Sequence, residues 1–310
     1  MTILVCGSMA YDTIMVFGDQ FKNHILPDRI HILNVAFHVP VLRREYGGCA
    51  GNIAYNLKLL GDDPLIMATV GHDFEPYSRR LEALSLSQRH VRRLDDQFTA
   101  QAFITTDVDD NQITAFHPGA MDFSHLNRVA DCPGATLGIV SPDGREGMIG
   151  HARGFAEAKV PYLFDPGQGL PLFTGEELLE LIAPAAGLTV NDYEAGVVEK
   201  KTGRGIAEIA KMVEAVVVTR GAEGSIVYTG GQQVHVPAVE PEGLVDPTGC
   251  GDAFRAGLLH GLARGWGWVR AARLASVMGS IKIAHRGGQN HRPAREAIGA
   301  RLGQAFAEAL

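Results

Sequence analysis

Short apolar runs ending in glycine recur along the chain, and stretches whose apolar positions repeat at helical spacing lie between them. Ile3-Leu4-Val5-Cys6-Gly7 reads as a strand buried on both faces, and so does the run from Pro64 to Gly71. Between them, Ile53, Leu57 and Leu60 share one helical face, with Gly61 placed as a C-terminal cap. Further strands are predicted at Leu137–Ser141, Tyr162–Phe164, Gly187–Val190 and Ala215–Thr219. Helices fill the intervals and continue at Asp252–Arg264, Val269–Ala284 and Arg295–Ala309. This alternation predicts an α/β fold: a central, mostly parallel sheet flanked by helices on both faces.

Two segments break the pattern. Residues 13–45 alternate in polarity, as in Arg29-Ile30-His31-Ile32, and Pro27 and Pro40 exclude a helix, so exposed strands are predicted there. Phe98 to Thr105, a polar Asp107-Val108-Asp109-Asp110-Asn111 turn and Gln112 to His117 read as a hairpin. Paired together, segments 13–45 and 99–118 would form a small β lid over a cleft in a core made of 1–12, 46–98 and 119–310.

Composition narrows the function. A chain of 310 residues needs neither disulfides nor a metal to build a core. Its four cysteines form no C-x-x-C pair. A net charge of −7 argues against a nucleic-acid binder, so any anion site must be local. No apolar stretch is long enough to span a membrane and no basic leader precedes Ile3–Val5, so a cytoplasmic protein is expected.

Chemistry concentrates in Asp246-Pro247-Thr248-Gly249-Cys250-Gly251-Asp252-Ala253-Phe254. A glycine-rich turn entering a helix turns free N–H groups of Gly249, Cys250 and Gly251 toward an anion. Asp252 would repel a phosphate there unless it accepts a proton from the attacking hydroxyl; helix capping is the plainer alternative. The Rossmann pattern fails at Phe254, and no G-K-[ST] occurs for a P-loop. In Gly47-Gly48-Cys49-Ala50-Gly51-Asn52 the glycines admit a ligand to backbone, and Asn52 offers the donor and acceptor that sugar hydroxyls need. Asp12 follows the first strand at the same sheet edge, where ligands bind in such folds, or is a plain loop acid, the better reading of this residue taken alone. Asn191 and Glu194, three apart at a helix start, could hold Mg²⁺ through water or form a capping box. Thr219, Gly221 and Gly224 follow a strand where a base or phosphate could lie on backbone, or they form a plain turn. Asp107-x-Asp109-x-Asn111 lacks the glycine and closing glutamate of a calcium loop.

Together these segments resemble the ribokinase-like (PfkB) carbohydrate kinase family, whose two signatures match at Gly47–Ala54 and Asp246–Phe254. The resemblance implies ATP and Mg²⁺ as cofactors, Asp252 as general base, and Gly249, Cys250 and Gly251 as anion hole. It implies Asp12, Gly48 and Asn52 on sugar hydroxyls, Asn191 and Glu194 around Mg²⁺ and phosphates, and Thr219, Gly221 and Gly224 on the nucleotide. Asp246 and Thr248, with Gly287 as a weaker candidate, match where some members hold a monovalent cation such as K⁺. The lid of such kinases often also forms a homodimer contact.

Within the family, Ile113–Ala120 and Phe164–Pro171 are similar to bacterial nucleoside kinases of the adenosine type. Gln168 would then read a base edge and Phe116 would cover a flat ring. The expected reaction is phosphorylation of a ribonucleoside 5′-hydroxyl. A ribokinase- or fructokinase-type sugar kinase is the alternative, and a non-catalytic relative a weaker one, since binding alone gains nothing from Asp252.

Overall fold

The computed structural model describes residues 1–25, 31–109 and 111–310. Its strands are β1 (Ile3–Cys6), β2 (Ala10–Val16), β3 (Val41–Gly47), β4 (Leu65–Gly71), β5 (Ser87–Leu94), β6 (Ala100–Thr106), β7 (Gln112–His117), β8 (Leu137–Val140), β9 (Tyr162–Phe164), β10 (Gly187–Asn191), β11 (Ala215–Thr219), β12 (Ser225–Thr229) and β13 (Gln232–Val236). Its helices are α1 (Cys49–Leu59), α2 (Glu75–Ala83), α3 (Arg145–Ala158), α4 (Gly175–Ile182), α5 (Asp192–Thr202), α6 (Ile206–Ile209), α7 (Cys250–Ala263), α8 (Trp268–Ile283) and α9 (Arg295–Phe306).

A nine-stranded sheet runs β13-β12-β11-β10-β9-β8-β1-β4-β5, with all strands in one direction except β12, which is antiparallel to both β11 and β13. Alternate residues feed two cores, because side chains of a strand point to opposite faces. Val5 and Val217 join α1, α2, α7 and α8 on one face, while Leu4, Cys6 and Val216 join α3, α4 and α5 on the other. Every strand of this sheet except β12 turns its carboxyl end toward the same edge, where the loops that carry the motifs lie. Among the described residues no helix is long and apolar enough to cross a membrane.

A separate four-stranded sheet runs β3-β2-β6-β7, with β2 and β6 parallel. The two exposed-strand segments thus pair with each other. Strand β2 begins at Ala10, which places Asp12 inside this small sheet rather than in a loop after β1.

The expectation of exposed strands over 13–45 is corrected for the described residues: among them, strand structure stops at Val16 and resumes at Val41. In between, Phe17, Phe21 and Phe37 pack against one another, with ring centroids 4.9–5.9 Å apart, and this cluster replaces a ladder. Pro27, Arg29 and Ile30, on which part of that expectation rests, lie outside the described residues, as does Asp110 of the hairpin turn. In that turn Asp107 accepts from the N–H groups of Phe21, Asp109 and Asn111, so its carboxylate closes the loop itself, in keeping with the missing glycine and glutamate.

Candidate active site

Type II turn geometry accounts for the start of α7. The Cys250 N–H donates to the Pro247 carbonyl at 3.1 Å, and Gly249 sits between them at φ +76°, ψ 6°. This corrects one expected role: the Cys250 amide is spent on the turn and is no anion donor. The amides of Gly249, Gly251 and Asp252 make no hydrogen bond among the described residues and remain available at the positive helix end. The Cys250 thiol is pushed up to about 11, by burial first.

Asp252, in the first turn of α7, accepts from Asn52 Nδ2 at 2.8 Å. Asn52 sits in the first turn of α1, and its Oδ1 accepts from Gln289 Nε2 at 3.1 Å. Gln289 also donates to the Tyr77 hydroxyl, which donates in turn to the Gly47 carbonyl at 2.9 Å. Burial pushes the Asp252 carboxyl up to about 6; the Asn52 bond opposes the rise, Asp165 adds to it and Arg255 opposes it.

Asp12 is likewise pushed up to about 6, by burial and then by Asp246 and Glu45. Its carboxylate makes no hydrogen bond among the described residues, so both oxygens can accept from a ligand. Glycine is obligatory beside it: a Cβ on Gly47 would stand 2.4 Å from Asp12 Oδ2. Gly48, at φ +83°, would strike the Ser8 carbonyl at 2.5 Å if it carried a Cβ. Gly48 is therefore needed for close packing of α1 on the segment after β1. In the small sheet Glu45, Asp12, Ala102 and Phe116 pair across adjacent strands, so their side chains share one face. Two strand spacings put Phe116 about 10 Å from Asp12. Gln168 is exposed in the turn Gly167–Leu172 and is hydrogen-bonded to no member of this group.

On the other side of Gly251 lies a cavity of about 260 Å³ lined by Thr219, Gly221, Gly224, Cys250, Gly251 and Phe254. Gly221, at φ +53°, borders open space. Gly224 is demanded by packing, since a Cβ there would lie 2.2 Å from the Val236 carbonyl. A cleft of about 1060 Å³ continues past Ala238 and Val239 along α9, away from both motifs.

Asn191 and Glu194 form a complete capping box: Asn191 Oδ1 accepts from the Glu194 N–H at 2.7 Å and Glu194 Oε2 from the Asn191 N–H at 2.8 Å. Glu194 Oε1 stays uncommitted among the described residues. Both readings of this pair are thus compatible with the geometry.

Asp246 Oδ1 accepts from the Thr248 N–H at 2.9 Å and Oδ2 from the Gly287 N–H at 2.8 Å. The Lys282 ammonium, fully buried, donates to the carbonyls of Asp246 at 2.7 Å and His285 at 3.0 Å.

Four contributors are not anticipated from sequence: Gln289, Lys282, Asp165 and Arg255. Arg255 is the most legible in retrospect. It is a charge three residues after Asp252, on a helix whose residues 253–261 are otherwise uncharged. Its guanidinium binds Asp165 through Nε at 2.9 Å and Nη2 at 3.0 Å, with both side chains buried.

The chain matches the model of the pfkB family of carbohydrate kinases over residues 12–295. It is similar to a Burkholderia thailandensis nucleoside kinase solved in complex with inosine, with 51% identity, 99% of each chain covered and a TM-score of 0.90. The same kinase in complex with ADP-inosine gives 52% identity over 99% of this chain and 97% of that one, with a TM-score of 0.88. A nucleoside kinase of Methanocaldococcus jannaschii is 29% identical over 271 residues, 87% of this chain and 89% of that one.

Proposed function

The chain belongs to the pfkB family of carbohydrate kinases, and we propose that it transfers the γ-phosphoryl group of ATP to the 5′-hydroxyl of a ribonucleoside. It is a phosphotransferase, and the two similar kinases that share most of its length are nucleoside kinases. The observation that carries the reading is the position of Asp252. It accepts from Asn52 of the glycine-rich acceptor motif, and Gly251, the residue before it, lines the cavity with Thr219 and Gly221.

In this reading the ribose diol donates to Asp12 and bonds the Asn52 amide. The base extends along the small sheet toward Phe116, about two strand spacings away. Asp252 takes the proton of the attacking hydroxyl, which the Asn52 bond orients. The amides of Gly249, Gly251 and Asp252 spread the charge of the phosphoryl in transit. The nucleotide lies in the cavity beside Phe254. Closure of the small sheet excludes water that would otherwise hydrolyse ATP.

Mg²⁺ fits as an ion carried with the phosphates. Among the described residues no group of three or more His, Cys, Asp or Glu could cage a metal. The open Oε1 of Glu194 can order a water of its shell. When bound, Mg²⁺ neutralises phosphate oxygens. A monovalent cation is disfavoured beside Asp246, Thr248 and Gly287. Each Asp246 oxygen accepts one backbone N–H, and the Lys282 ammonium already places a positive charge on the carbonyls of Asp246 and His285.

The test is ATP consumption against a panel of nucleosides and free sugars, with the phosphate position assigned by ³¹P NMR. Turnover on nucleosides giving 5′-monophosphates is expected. Preference for ribose or fructose would replace this reading with the sugar-kinase one.

A further inference from the structure

Arg255 is a buried cation that spends only two of its five N–H donors among the described residues. Asp165 holds only the Nε and Nη2 edge of its guanidinium. Nη1 makes no hydrogen bond among the described residues, although it carries two of the five N–H donors that the guanidinium holds in a rigid plane. Helical spacing decides where Nη1 points. Arg255 is four residues beyond Gly251, and side chains of a helix lean toward its N-terminus. Nη1 accordingly lies 3.4 Å from the point a Cβ would occupy on Gly251. That point is beside the free amides of the turn and within the field of Asp252 and Glu194, both of which act on the Arg255 charge.

Packing alone gives no reason for this arrangement. A buried ion pair is at best neutral in stability against apolar residues of similar volume, and the rest of this stretch of α7 is built from such residues. Asp165 follows β9 at the carboxyl edge of the sheet, where its own N–H is fixed on the Val140 carbonyl at 2.9 Å. A carboxylate anchored in this way, gripping one edge of a guanidinium, aims the other edge.

We propose that Arg255 is a second catalytic group of the transfer, with Nη1 donating to the oxygens of the phosphoryl in flight and Asp165 acting as its positioning residue. The proposal rests on the kinase reading above. The acceptor oxygen forms its bond to the γ-phosphorus as the bond to the β,γ-bridging oxygen breaks. The hydroxyl proton passes to Asp252, and ADP leaves with the bridging oxygen's electron pair. Arg255 exchanges no proton and offsets the charge on the three equatorial oxygens.

The test compares the parent with Arg255→Lys, Asp165→Asn and the paired Asp165→Asn/Arg255→Gln, which leaves no unpaired buried charge. Melting temperature, calorimetric affinities for ADP and nucleoside, and kcat are measured. So is the gain in ADP affinity when aluminium fluoride and nucleoside are added to mimic the phosphoryl in transit. In the paired variant kcat should fall about 10²–10³-fold, the usual loss for one charge-stabilising donor. ADP and nucleoside affinities should hold within about threefold, under 1 kcal/mol, and the gain from aluminium fluoride should be lost. Asp165→Asn should retain part of the turnover, because the guanidinium remains but is loosely aimed. Arg255→Lys should lose most of it, because a single ammonium cannot bind Asp165 edge-on and reach past it. If the paired variant is folded and keeps kcat within about threefold of the parent, Arg255 is only a strut. Equal losses in melting temperature, ligand affinity and kcat would also reduce it to a strut. The measurement is made on whichever acceptor the parent phosphorylates, so a parent that prefers free sugars would overturn the nucleoside reading and leave this one standing.

Discussion

Asn52 Nδ2 donates to Asp252 Oδ2 at 2.8 Å across 200 residues of sequence, joining the first turn of α1 to the first turn of α7. The bond ties the acceptor motif to the proposed base. It also fixes the amide's orientation, because Gln289 donates to Asn52 Oδ1 from the opposite side. The carbonyl oxygen of Asn52 can therefore not face Asp252 without setting two acceptors against each other.

Asn52→Ala removes one sugar contact and the clamp on the base together. A lost bond of this kind costs about 1–3 kcal/mol, roughly 5- to 150-fold in kcat/KM for the nucleoside. The KM for ATP should scarcely move, since its cavity is lined by Thr219, Gly221 and Phe254 instead. Steady-state kinetics with each substrate varied in turn checks this. A loss confined to ATP would mean that the two sites are interchanged. Asn52→Asp should behave differently, placing a second carboxylate against Asp252 and moving the pH of half-maximal activity upward.

Asp252 and Asp12 both sit near pH 6, raised chiefly by burial. Each must be ionised, one to accept a proton and the other to bind the diol. The kcat/KM for nucleoside should therefore fall as pH drops below about 6, approaching a hundredfold per pH unit when both are protonated. Stability carries the opposite sign. A carboxyl raised above its ordinary value of about 4 stabilises the fold fully below that value, and loses this contribution as pH rises through about 6. Asp252→Asn should cut turnover roughly 10²–10⁴-fold. It should also raise the melting temperature at pH 8 relative to the parent while leaving it unchanged near pH 4. Melting curves at the two pH values decide it: a variant destabilised at pH 8 would show that the Asp252 charge is compensated in the fold.

The strand–helix alternation and the two glycine motifs are legible in the sequence because local rules generate them: buried strands lack polar positions, and a helix entered through glycine exposes amides. Asp165 and Arg255 are not, because their pairing spans 90 residues and no spacing rule connects them. The Cys250 amide escapes for a similar reason. Its use depends on the left-handed backbone at Gly249 closing a turn, and the glycine also permits an open loop. The burial that raises the Cys250 thiol comes from neighbours distant in sequence, whereas the sequence shows only the helix end and Asp252. The described residues of 17–25 and 31–40 mislead because alternation reads as sheet, while Phe17, Phe21 and Phe37 satisfy one another.

Gln168 is expected to separate the nucleoside from the sugar reading. It is exposed and makes no hydrogen bond among the described residues, so its amide is free to meet a ligand edge when the small sheet closes. Gln168→Ala should lower discrimination among purine and pyrimidine nucleosides by about tenfold, about one hydrogen bond's worth, with little change in melting temperature. Specificity constants for inosine, adenosine and cytidine in parent and variant measure this. An unchanged ratio would remove Gln168 from the base site and leave Phe116, on the same face of the small sheet as Asp12, as the residue to alter next.

Lys282 is expected to make turnover independent of monovalent cations. Its ammonium bridges the carbonyls of Asp246 and His285, tying the turn that precedes α7 to the end of α8. A free K⁺ would compete for those carbonyls against a cation already delivered by the chain. Replacing K⁺ by Na⁺ or choline at constant ionic strength should therefore leave turnover nearly unchanged. Lys282→Met leaves the two carbonyls without a donor, so the turn carrying Gly249 should loosen and kcat should drop about tenfold or more, at least 1.4 kcal/mol. Added K⁺ should then restore part of that loss, because its size and charge suit the vacated carbonyls, and choline should restore none. Stimulation of the parent by K⁺ of about tenfold, 1.4 kcal/mol, would show that a cation enters the loop despite Lys282.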